Sequence, residues 1–111
     1  MKQLFLMFGF LFVSFSALAN FVSPIDFNEL QKDEVVRFVK ANAEEKWRDD
    51  HSMVNYEFKK QMNAFKWLIS NANDSKILDS AVRKWREDGD YSMIKYEYNK
   101  QYDAKNTELN W

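Results

Sequence analysis

The chain says nearly the same thing twice. Residues 46–64 read KWRDDHSMVNYEFKKQMNA, and residues 84–104 read KWREDGDYSMIKYEYNKQYDA. Up to Arg48 the copies align at an offset of 38, so Ala43, Lys46, Trp47 and Arg48 match Ala81, Lys84, Trp85 and Arg86. Beyond it the offset is 40, and Ser52, Met53, Tyr56, Glu57, Lys60, Gln61 and Ala64 match Ser92, Met93, Tyr96, Glu97, Lys100, Gln101 and Ala104. The two extra residues of the second copy fall where a turn belongs, and turns tolerate length changes. A unit that recurs in this way is one supersecondary element whose apolar face a neighbouring copy can cover.

The periodicity says which element it is. Val36, Val39, Ala43 and Trp47 recur at three- and four-residue steps, which predicts an amphipathic helix over about 31–48. Asp26-Phe27-Asn28-Glu29 resembles a capping box that would start it earlier. A second helix over about 51–70 carries Val54, Phe58, Met62, Phe65 and Ile69, with Asp50 as its N-cap. Residues 70–75, SNANDS, form a polar turn. A third helix over about 76–87 carries Leu78, Ala81, Val82 and Trp85; Gly89 suits the left-handed residue that ends it, and Asp90 caps a fourth helix running to about Lys105. Asn20 to Asp26 reads as a loose lead-in, and Pro24 is the sole proline. The expected fold is therefore all-α: two tandem helix hairpins, about 31–70 and about 75–106, in one small domain of residues 20–111.

Residues 1–19 are set apart from that domain. MKQLFLMFGFLFVSFSALA has one early charge, Lys2, an apolar core, and Ala17-Leu18-Ala19 as a small-x-small cleavage pattern, which is the form of a secretory signal peptide. The apolar stretch is broken by Ser14 and Ser16 and falls short of the roughly 18 to 20 residues needed to span a bilayer. The expectation is an exported protein, periplasmic or extracellular, with no stable membrane anchor after cleavage. The whole chain has 16 basic and 17 acidic side chains; residues 1–19 hold one lysine and no acid, so residues 20–111 carry a formal charge of −2. Nucleic-acid binding needs a concentrated basic field that this composition lacks. Cysteine is absent although export would permit disulfides, so large aromatic side chains must supply the core.

On the second arm of each hairpin, the identities collect on one face. Positions 53, 56, 57, 60, 61 and 64 follow i, i+3, i+4, i+7, i+8, i+11 spacing. A neighbouring face keeps only apolar character, Val54, Phe58 and Met62 against Ile94, Tyr98 and Tyr102; a third, Asn55, Lys59 and Asn63 against Lys95, Asn99 and Asp103, keeps neither. The strictly specified face and the adjoining short helix hold the candidate residues Trp47, Arg48, Tyr56, Glu57 and Gln61, repeated as Trp85, Arg86, Tyr96, Glu97 and Gln101. They serve either as hairpin glue, with pairs expected between Arg48 and Glu57 and between Arg86 and Glu97, or as two equivalent recognition sites. Buried polar groups must be paired, which restricts identity more than apolar packing does, so the internal reading is favoured.

The string Trp47, Asp50, His51, Met53, Tyr56, Gln61, and again Trp85, Asp90, Tyr91, Met93, Tyr96, Gln101, resembles a short helical module of exported bacterial proteins. The first copy departs from it with His51 where an aromatic would stand. The resemblance implies a helical hairpin and no activity. Enzymatic readings fail on residue chemistry: His51 and Ser52 are adjacent and so point about 100° apart on a helix, and one His with no Cys makes a poor metal site. The acids Asp49, Asp50, Glu87, Asp88 and Asp90 are explained as helix-end residues, and Glu57 and Glu97 as paired carboxylates. No catalytic residue, cofactor or metal is expected. Three roles remain: a module that holds an envelope or secreted protein through its hairpin grooves or its Tyr-rich fourth helix; an inhibitor or immunity-like protein against a secreted hydrolase or toxin; and a self-assembling structural unit.

Overall fold

The computed structural model describes residues 20–107; the expected signal segment, residues 1–19, lies outside them. Among the described residues the chain is all-helical, without a strand: a 3-10 turn (Glu29–Gln31) leads into α1 (Lys32–Trp47), followed by α2 (His51–Asn71), α3 (Ser75–Trp85) and α4 (Tyr91–Asn106). No helix among them is long and apolar enough to cross a membrane.

Short polar side chains set each start by accepting from first-turn amides that lack an intrahelical partner. Asp50 accepts from the Met53 N–H at 3.2 Å, Asp74 from Ile77 at 3.2 Å, and Asp90 from Ser92 and Met93 at 3.1 and 3.2 Å. At the first turn the reciprocal pair is Asn28 and Gln31: Asn28 Oδ1 accepts from Leu30 at 2.8 Å, and Gln31 Oε1 accepts from Asn28 at 3.0 Å. The polar linker shortens to Ala72-Asn73-Asp74, because α2 runs on to Asn71 and Asp74 already caps α3.

The two inter-arm turns solve one problem differently. In the longer second turn Arg86 stays helical at φ −62°, and the left-handed residue is Gly89 at φ 61°. A Cβ there would lie 2.5 Å from the Phe38 ring, so glycine is required by close approach as well as by torsion. The first turn is two residues shorter and has no glycine. Arg48 itself takes φ 48° and ψ −110°, its N–H closing on Glu44 O at 2.7 Å, a strained conformation for a residue with a Cβ.

α1 packs on α2, α3 on α4, and the two hairpins join through α2 and α4. Gln61 meets Tyr91 and Trp67 meets Tyr98, so the two long helices run parallel. Tyr91 stands at the position matching His51, yet it lies beside Gln61 and Phe65. The second hairpin is therefore shifted by roughly 12 residues, about 18 Å, along α2. The shift decides which faces are buried. α2 buries Glu57, Gln61, Ala64, Phe65 and Leu68, while α4 buries Tyr91, Ile94, Glu97 and Tyr98. Of the apolar stripe expected on α2, Phe65 is buried, Val54, Phe58 and Met62 are half-buried, and Ile69 is 40% exposed. That stripe matches the face by which α4 leans on α2, and among the described residues no preceding hairpin covers it in the first copy.

The short helices are turned in opposite senses for the same reason. α1 buries Val35, Phe38 and Val39 rather than Val36, whereas α3 buries Leu78 and Val82, whose counterparts on α1 are the exposed Lys40 and Glu44. Ala43 and Ala81 match and are both fully buried.

The loose lead-in expected for residues 20–26 is corrected: it is docked. Val22 is 3% exposed, Phe21 stacks on Tyr91 at 5.4 Å and meets Phe38 edge-on at 5.7 Å, and Phe27 meets Phe65 at 5.1 Å. The Tyr91 hydroxyl donates to Val22 O at 2.7 Å and lies 3.3 Å from Val22 N–H, which satisfies a buried peptide group belonging to no helix. Four apolar residues among Phe21, Val22, Ile25 and Phe27 were the available signal; with no helical period they gave no element. Tyr91→Phe keeps the ring and orphans both Val22 groups, so it should cost about 1–3 kcal/mol in chemical denaturation and speed amide exchange in residues 21–25 more than in α2.

Candidate functional site

The specified face is built from one side-chain network that occurs in both hairpins. In the first, Lys46 Nζ lies 3.6 Å from Glu57 Oε1 and Lys60 Nζ 3.3 Å from the same oxygen, while Gln61 Nε2 donates to Glu57 Oε2 at 3.0 Å. In the second, Lys84 Nζ donates to Glu97 Oε1 at 3.3 Å, and Gln101 Nε2 to Glu97 Oε2 at 2.9 Å. Lys46 and Lys84 also lie over the rings of Trp47 and Trp85, at 5.8 and 6.0 Å. Lysine from the short helix thus bridges a carboxylate on the long helix and the indole beside it. Both glutamates are 5% exposed.

The expected arginine pairs are corrected. Lys46 and Lys84 take the carboxylates, because each sits on the last regular turn of its short helix while Arg48 and Arg86 lie beyond it. Arg48 and Arg86 are exposed, and Arg86 lies over the Phe21 ring at 5.6 Å. Trp47 and Trp85 are neither open nor fully buried. Each encloses its indole Nε1 without a hydrogen-bond partner, a matching unpaired donor in both hairpins. Tyr56 and Tyr96 stay outside at 60% and 58% exposure. Tyr98 of the Tyr-rich fourth helix is turned inward, 3% exposed, its hydroxyl accepting from Asp74 N–H at 3.0 Å.

Gln61 does something that Gln101 does not. Its Oε1 accepts from the Tyr91 and Ser92 N–H groups at 2.7 and 3.2 Å, and its Nε2 also donates to Asp90 Oδ1 at 2.8 Å. One amide therefore joins Glu57 of its own hairpin to the N-terminal turn of the next. Gln101 is exposed and makes only the Glu97 half of the pattern. That the backbone partners of Gln61 lie in the other hairpin depends on the shift between them.

The electrostatics follow from these contacts. Burial pushes the Glu57 carboxyl up, but the Gln61 amide and the Lys60 and Lys46 ammonium groups outweigh it and hold it below its ordinary 4.5. The Gln101 amide, against a burial penalty and helped by Lys84, lowers Glu97 likewise. Burial also opposes ionisation of Asp90, and the Ser92 hydroxyl, the Gln61 amide and the Met93 N–H overcome it. The Tyr91 hydroxyl is pushed far upward by burial, so it is a permanent donor. These carboxylates are stably ionised and engaged, a poor disposition for proton transfer. Among the described residues no group of three or more His, Cys, Asp or Glu is placed to hold a metal ion. His51 is exposed on the first turn of α2, and the Ser52 hydroxyl donates to Asp50 at 3.0 Å.

Comparison with known proteins adds no family: no family model, no curated protein and no solved structure matches the chain.

Two outcomes follow. Gln61→Ala should cost about 2–3 kcal/mol, since it leaves the buried Tyr91 N–H unpaired, and Gln101→Ala under about 1 kcal/mol; thermal and urea melts of the two variants check the asymmetry. Because the native carboxyls titrate below their unfolded values, their contribution is complete above the unfolded range and is lost as pH falls through the native values. The melting temperature should be flat from about pH 7 to 5.5 and fall below roughly pH 4.5, with a shallower fall for Glu57→Gln.

Proposed function

We propose that this chain is an exported helical module that binds an envelope or secreted protein through a surface presented twice, centred on Tyr56 and Tyr96. One observation carries the reading. Among the residues identical in the two copies, Lys46, Trp47, Glu57 and Gln61 and their counterparts have internal partners that account for their identity. Of the matched aromatic residues, the tyrosines are the ones left in solvent, where packing places no demand on their identity. Tyrosine offers a rigid amphipathic surface at low entropic cost, which is why it dominates binding energy at interfaces.

The chemistry around each ring supports a mixed polar and aromatic ligand. Lys60 lies 5.8 Å from the Tyr56 ring centre, and Lys100 is the residue four positions beyond Tyr96. From the shift of the hairpins and an interaxial distance of about 9 Å, the two tyrosines stand on the order of 20 Å apart. A single extended or helical partner can reach both. Two weak contacts on one partner reinforce each other through effective concentration.

The residues concerned are exposed, so function and folding separate cleanly. Tyr56→Ser and Tyr96→Ser should each leave stability within about 0.5 kcal/mol, and the double variant should weaken capture of a partner from an envelope fraction by more than the sum of the single changes in binding free energy. Quantitative pull-down against wild type reads this. Unchanged capture by the double variant would remove the tyrosine surface from consideration.

A further inference from the structure

The outer side of the first hairpin carries a groove of about 520 Å³, lined by the apolar Val36, Val54 and Phe58 together with Lys40, Glu44 and His51. It lies on the long-helix face that the second hairpin uses for docking: Ile94 and Tyr98, which match Val54 and Phe58, are 0% and 3% exposed once covered by α2. In this chain, then, the face is one that a helical surface covers.

We infer that a second copy of this chain covers that groove in a two-fold, face-to-face dimer. The choice of occupant rests on charge. Lys40 and Glu44 are exposed, one helical turn apart on α1, and neither has an ion-pair partner among the described residues. A two-fold axis between them, perpendicular to α1, brings two such helices together antiparallel. It sets Lys40 of each copy against Glu44 of the other, twice, over the shared apolar centre. An isologous interface requires this self-complementarity.

Among the described residues, the head-to-tail alternative lacks a matching surface. At the other end of the molecule Lys76 and Lys105 stand where the first hairpin has Phe38 and Phe65, and Lys105 is held by Asp74 at 2.7 Å. That end has the polar outer face of a capping unit. The inference is independent of the tyrosine surface, which lies on a different face of α2.

Sedimentation of the processed chain, its N-terminus read by mass spectrometry, tests it over a micromolar to near-millimolar series. The wild type should dimerise. Lys40→Glu and Glu44→Lys, both at exposed positions, should each raise the dimer dissociation constant by at least about tenfold, and the double reversal should restore it. A wild type that stays monomeric overturns the inference, whether the groove is open or covered by residues 1–19 or by another protein. So does a dimer indifferent to the single reversals, or a series of larger species signifying open stacking.

Discussion

The burial of the first turn of α4 against the first hairpin is the interaction on which everything else depends. Tyr91, fully buried, is in ring contact with Phe21, Phe38 and Phe65, which come from the lead-in, α1 and α2. Its hydroxyl closes the Val22 peptide, and its backbone N–H is closed by Gln61. A helix N-terminus carries unpaired amides that cannot be buried unless something accepts from them. Asp90 and Gln61 together meet that demand, which allows an aromatic ring to enter the core at the first position of a helix. Without the acceptors those amides would be buried and unpaired, and without the ring Phe21, Phe38 and Phe65 would lose their shared contact.

That junction also explains why two nearly identical hairpins are not equivalent. The first offers its forward side, Phe38, Ala64, Phe65 and Leu68, and the second its backward side, Leu78, Val82, Ile94 and Tyr98. Each polar replacement at a matching position marks an outer end: Lys40 and Glu44 for Leu78 and Val82, Lys76 and Lys105 for Phe38 and Phe65, His51 for Tyr91. The departures between the copies are thus as informative as the identities. His51, the one residue inviting a catalytic reading, is the solvent-side counterpart of a core tyrosine.

The repeated Lys, Trp, Glu and Gln network accounts for identities that look like a binding motif. A carboxylate that is nearly buried needs a cation and a hydrogen-bond donor, or it would be protonated or excluded. Lys46 with Gln61 and Lys84 with Gln101 supply them from fixed spacings on the two arms. What remains is Tyr56 and Tyr96, open in both hairpins, the exposed Arg48 and Arg86, and two enclosed indole N–H groups with no partner, for which the structure offers no physical reason.

The sequence by itself determined the four helices, their caps at Asp50 and Asp90, the left-handed Gly89 and the specified face, because all of these depend on residues within a turn or two of one another. It missed the cap at Asp74, hidden inside a polar linker, and the docking of Phe21 to Phe27, which has no periodicity to announce it. Lys46 and Lys84, rather than the neighbouring arginines, meet the glutamates because helix phase at the end of the short arm decides reach, and a shift of one residue turns a side chain by about 100°. Only the tertiary structure decided the stagger of about 18 Å, and with it which copy of each matched residue is buried. Local spacing is the same in both hairpins. Burial is set by which side of each hairpin faces the other: the first meets its neighbour through Phe38, Phe65 and Leu68, and the second through Leu78, Tyr91 and Ile94.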